Sequence, residues 1–155
     1  MKLLKLKSFR QRPGLCGPAS LKMVLGYYGI EKSEKELAKM CGATAKSGIE
    51  AKPIIAVAKK LGLKGFTKDN SNFDDIAKYL TKKIPIIVDW FSTDDGHYSV
   101  VVGLDTKYIY LEDPEFGGIN KIKKGTFYRV WFDFRGNYIK TPKNVILRRI
   151  LVIHR

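Results

Sequence analysis

Two cysteines and two histidines supply the nucleophilic and acid–base chemistry of this sequence, and one of each stands in a context suited to it. Cys16 lies in Gln11-Arg12-Pro13-Gly14-Leu15-Cys16-Gly17-Pro18-Ala19-Ser20, a stretch that runs straight into Leu21 to Gly29. A Pro-Gly turn delivers the thiol to a helix start, where Pro18 is tolerated because the first helical N–H groups have no partner. Leu21, Val24, Leu25 and Tyr28 then recur at helical spacing, and Gly29 ends the helix. A thiol at a helix N-terminus sits at the positive end of the dipole, which favours thiolate. Free cysteines are more often small buried hydrophobes. The glycines and prolines around Cys16 keep bulk off the sulfur and argue for a nucleophile. Cys41 lacks such flanks and reads as a core residue.

A nucleophilic thiol needs a base, and histidine is the usual one. His154 is the penultimate residue, on a tail expected to fray. His97 opens an apolar strand behind Gly96 and is the better partner. An orienting acid should hold its imidazole in one tautomer. If Val100–Leu104 pairs with Tyr108–Glu112 as a hairpin, Asp113 arrives beside His97 at the sheet's end. The competing use of Asp113-Pro114 is as a turn starter. Asp89, Asp94 and Asp95 are rivals: the last two read as loop solvation, and Asp89 alternates with core residues. Gln11 offers a side-chain amide which, with the N–H of Cys16, would form an oxyanion hole; otherwise it faces water.

The elements that must position these residues fall into two halves. Ser33 with Glu36 forms a capping box for a second helix ending at Cys41-Gly42, and Ser47 with Glu50 repeats the pattern for a third, ending near Leu61-Gly62. Ile54, Ile55, Val57, Ala58 and Leu61 form the third helix's buried face, with Pro53 acceptable only near its first turn. Strands then dominate: 63–67, 84–90 and 97–104, with 91–96 as a loop, followed by 108–112, 119–123 and a closing strand over 145–153. Ser71 or Asn72 caps an intervening helix, Thr126 caps a short aromatic one, and the N-terminal Lys-Leu segment reads as a strand. The class is α+β, N-terminal helices packed on a C-terminal antiparallel sheet. A single domain spans 1–155.

At 155 residues, 45% hydrophobic and 12% aromatic, the chain buries a core without disulfides or metals. Two cysteines far apart form no disulfide framework and no CxxC metal pair, so neither metal nor cofactor is expected. No apolar run reaches membrane-span length and no signal peptide is legible, so the expected compartment is the cytoplasm. The net charge of +14 comes from lysines scattered over every element. It implies at most nonspecific attraction to nucleic acid.

Together, Gln11, Cys16-Gly17-Pro18-Ala19-Ser20-Leu21, Tyr27-Tyr28-Gly29, His97-Tyr98-Ser99-Val100-Val101 and Asp113-Pro114 resemble the bacteriocin-processing, double-glycine leader peptidase family. That family is a branch of the papain-like cysteine peptidases. The resemblance implies a papain-like fold and peptide hydrolysis without a cofactor. It implies Cys16 as nucleophile, His97 as general base and acid, Asp113 as orienter and Gln11 at the oxyanion hole. The family places its glutamine one residue further from the cysteine, and it commonly fuses the peptidase to membrane and ATP-binding segments. This sequence contains neither, so a stand-alone domain acting on peptides or proteins is expected. The alternatives are a peptide-binding module that no longer cuts, and thiol-dependent acyl or peptidyl transfer, which uses the same residues.

Overall fold

The computed structural model describes residues 2–44, 49–93 and 95–155. Three helices come first: α1 (Cys16–Tyr27), α2 (Glu34–Cys41) and α3 (Ala51–Lys60). The Ser33–Glu36 capping box starts α2, and Gly42 ends it at φ 73°, a conformation that costs glycine nothing. Pro53 falls in the first turn of α3, where no intrahelical N–H is lost. The Ser47 cap lies outside the described residues; Glu50 occupies the N-cap position without a side-chain cap bond.

Among the described residues, six strands form one antiparallel sheet. They are β1 (Lys64–Lys68), β2 (Ile86–Ser92), β3 (Asp95–Leu104), β4 (Tyr108–Asp113), β5 (Gly118–Lys123) and β8 (Arg149–His154), in the order β1-β8-β2-β3-β4-β5. In β2 the run Ile86 to Trp90 is buried on both sides. Ile87 faces a core shared with Leu21, Leu25 and Ile54 of α1 and α3. Ile86, Val88 and Trp90 face a second core with Phe127 and Trp131. That second face is covered by α4 (Phe73–Thr81) and α5 (Lys124–Val130), while a small hairpin of β6 (Phe132–Phe134) with β7 (Val145–Leu147) packs at the end of β2 and β3, where Phe132 and Phe134 stack on Phe91. Asn72 caps α4, exchanging hydrogen bonds with Asp75.

Four expectations are corrected. Residues 145–153 are not one strand: Arg148, at φ 47°, breaks the run, so β7 joins β6 while β8 inserts between β1 and β2. Most of the expected 91–96 loop is strand instead, because Phe91 and Ser92 of β2 pair with Gly96 and Asp95 of β3. Thr126 lies inside α5, whose start is held by the Lys124 N–H donating to the Lys107 carbonyl at 2.9 Å. The N-terminal segment forms no strand; Leu4 donates one backbone bond to Val102, and Leu4, Leu6 and Phe9 lie against the first core.

Candidate active site

Cys16 is the first residue of α1, and its side chain is half-buried. Gly17, next to it, must stay small because a Cβ there would stand 2.3 Å from a methyl carbon of Ile49. Pairing of β3 with β4 stops at Val100 opposite Glu112. The N–H of Tyr98, just beyond that last pair, instead donates to the Cys16 sulfur at 3.4 Å. This contact ties the helix start to the strand that carries His97.

His97 is 7% exposed, and its ring is held from two sides. The Trp90 ring meets it edge-on at 5.7 Å between centroids, while Nε2 bonds the Asp113 carboxylate at 2.6 Å. That bond leaves Nδ1 as the ring nitrogen available to the Cys16 thiol. Burial pushes the imidazole pKa down, but hydrogen bonds to Asp113 and Cys16, and their charges, outweigh it and raise it to about 10.

Asp113 ends β4, so the β3–β4 hairpin delivers it. Burial raises its pKa, yet the bonds from His97, the Glu115 N–H (3.0 Å) and the Asn120 amide (3.1 Å) prevail and leave the carboxyl below its ordinary value. Asn120 escaped the sequence reading. Its legible signal is the β4–β5 register, Leu111 opposite Asn120, which makes it the diagonal neighbour of Asp113 on one face.

Gln11 is tethered to the same corner: its backbone N–H donates to the Pro114 carbonyl at 2.8 Å. Its Nε2 donates to the Arg12 carbonyl at 3.3 Å, and its Oε1 is buried without a partner. Of the rivals, Asp95 bonds the Gly96 N–H on the surface, and Asp94 lies outside the described residues. Asp89 is 2% exposed on β2 and is not the partner of His97. His154 does not fray; it pairs with Lys64 in the sheet. Among the described residues no three His, Cys, Asp or Glu side chains gather as a metal site, and no helix is long and apolar enough to cross a membrane.

A thiol, an imidazole and a carboxylate in this order, with the ring bonded to the carboxylate through one nitrogen, form the working parts of nucleophilic acyl chemistry. The sequence pattern of the Peptidase_C39 like family matches residues 3–139. The chain belongs to that family. An uncharacterized protein of Methanothermobacter marburgensis is 32% identical over 149 residues, covering 90% of this chain and 95% of its own. The sublancin-168-processing and transport ATP-binding protein SunT of Bacillus subtilis is 25% identical over 122 residues, 77% of this chain but 17% of that protein.

Among solved structures, a double glycine motif protease from an AMS/PCAT transporter, in complex with the leader peptide, superposes with a TM-score of 0.73. It is 25% identical, and the match covers 98% of this chain and 93% of that one. The peptidase domain of Streptococcus ComA superposes at 0.74 with 23% identity, covering 97% and 98%. The Peptidase_C39 like chain therefore has the papain-like α+β fold of these peptidase domains, helices first and antiparallel sheet after.

Proposed function

We propose that this chain is a single cysteine peptidase domain, with Cys16 as nucleophile, His97 as general acid and base, and Asp113 as the orienter of His97. The observation that carries the reading is the 2.6 Å bond from His97 Nε2 to Asp113, which leaves the other ring nitrogen for the half-buried sulfur. The Cys16 thiolate attacks a peptide carbonyl carbon, and the C=O pair becomes an oxyanion. The N–H of Cys16, at a helix start without an intrahelical partner, faces that oxygen. Gln11 supplies the second donor once its amide turns from the Arg12 carbonyl. His97 gives its Nδ1 proton to the leaving amine as the C–N bond breaks, leaving a thioester on Cys16. Water, deprotonated by His97, then attacks the thioester; the acid leaves and the thiolate is regenerated.

Peptides are the substrate class, and the leader peptide held by the structurally similar transporter protease supports this. Cys16 and Cys41 are both free thiols, which suits the reducing cytoplasm. The test is cleavage of a diverse peptide set, including Gly-Gly sequences, by the wild-type chain and Cys16→Ala. Cleavage by wild type alone is expected. Cleavage that survives in Cys16→Ala, or iodoacetamide labelling at mildly acidic pH confined to Cys41, overturns the reading.

A further inference from the structure

Directly behind the site lies a pair of carboxyls that the reaction above does not use. Asp89 projects from β2 on the face that α1 covers, opposite Tyr98 on one side and Arg149 on the other. It is 2% exposed, and its Oδ1 is buried with no hydrogen-bond partner. The carboxyl of Asp133, from β6, lies within hydrogen-bonding reach of it. Two carboxylates bond each other only through a shared proton. The guanidinium of Arg149 offsets their charge only in part, because Asp69 grips it at 2.6 and 2.9 Å. Asp133 also presses on the strand that carries His97: a Cβ on Gly96 would stand 2.4 to 2.6 Å from its carboxyl atoms.

We propose that Asp89 and Asp133 hold one proton between them at neutral pH, and that this bridge fixes β6 against Gly96 and so positions His97 beside Cys16. The pair acts through His97 and touches no substrate. The groups that face Asp89 are Asp133 from β6, Tyr98 from β3, Arg149 from β8 and Cys16 from α1. Burial, the Asp133 hydrogen bond and the charges of Asp133 and Cys16 raise the Asp89 pKa to about 9, with Arg149 opposing. Loss of the bridging proton places two like charges in contact and pushes β6 off the His97 strand. The proposal deepens the peptidase reading, on which its effect at His97 rests; the shared proton itself does not depend on cleavage.

Infrared titration of the full-length chain tests the bridge directly. A protonated-carboxyl C=O band is expected at pH 7, lost as pH rises through about 9, absent in Asp89→Asn, and displaced in frequency in Asp133→Asn, where the proton is no longer shared. No such band in the wild type, its survival in Asp89→Asn, or an unmoved band in Asp133→Asn overturns the proposal. The thermal midpoint gives a second readout. A pKa raised on folding contributes stability that is complete below the unfolded value and is lost as pH rises to the folded one. The wild type should therefore lose about 3–5 °C per pH unit relative to Asp89→Asn between the ordinary carboxylate range and the bridge's own titration. A merely structural role shifts the midpoint equally at every pH, and that outcome too overturns the proposal.

The alkaline limb of kcat/KM, set in the wild type by the bridge, should move up by about one pH unit in Asp89→Asn, to the limit set by His97. An unmoved limb removes the positioning role. Absence of cleavage with the band intact counts against the peptidase reading and leaves the bridge standing.

Discussion

The two cysteines occupy opposite ends of two neighbouring helices and show how much of a thiol's chemistry belongs to its surroundings. Cys16 begins α1, half-buried, with the Tyr98 N–H on its sulfur and the His97 ring beside it. Cys41 ends α2, 8% exposed among the side chains of the first core, at the negative end of the helix dipole. Burial alone pushes its pKa up to about 11. The same side chain is thus given a backbone donor and a histidine ring at one site and hydrocarbon at the other. Position in a helix sets the sign of the field, and tertiary contacts decide the rest.

The largest contrast should come from deleting each thiol. Cys16→Ala should lower kcat about 10⁴-fold or more and abolish iodoacetamide labelling at pH 6, whereas Cys41→Ala should leave both intact. Equal losses from the two would erase the distinction. Next comes Asp113→Asn, which removes the carboxylate on Nε2 and should reduce kcat about 10²–10⁴-fold. Its thiol should also lose reactivity at acidic pH, because the imidazolium loses its largest support. Unchanged acidic labelling would show that Cys16 needs only its helix.

A smaller effect separates the two sites by pH. The imidazole of His97 is raised from 6.5 to about 10, so its stabilisation is complete below pH 6.5 and is lost as pH rises through 10. Urea midpoints of wild type and His97→Gln should accordingly converge over that window, and a constant gap would contradict the pairing. The smallest effect sharpens the control: Ser33→Ala opens the capping box of the helix that ends in Cys41. It should cost about 1 kcal/mol in denaturant unfolding while leaving the labelling rate of Cys16 untouched.

Much of this was determined by the sequence alone. Helix starts and stops are local events: Ser33 with Glu36, Asn72 with Asp75, and glycines at φ 73° and 95° after α2 and α3 are readable within a few residues. The β3–β4 hairpin is nearly as local, which is why the sequence itself pairs His97 with Asp113. The tertiary structure decided what depends on distant segments. The break at Arg148 sends Val145–Leu147 to a hairpin and Arg149–His154 to the middle of the sheet. Asp89 read as a residue alternating with the core until β6 brought Asp133 against it, and Gln11 gained its anchor only when Pro114 folded back to it. A capping box costs little loop entropy and is written in its own residues. A contact between elements far apart in the chain is fixed by burial of whole faces, and no short stretch encodes it.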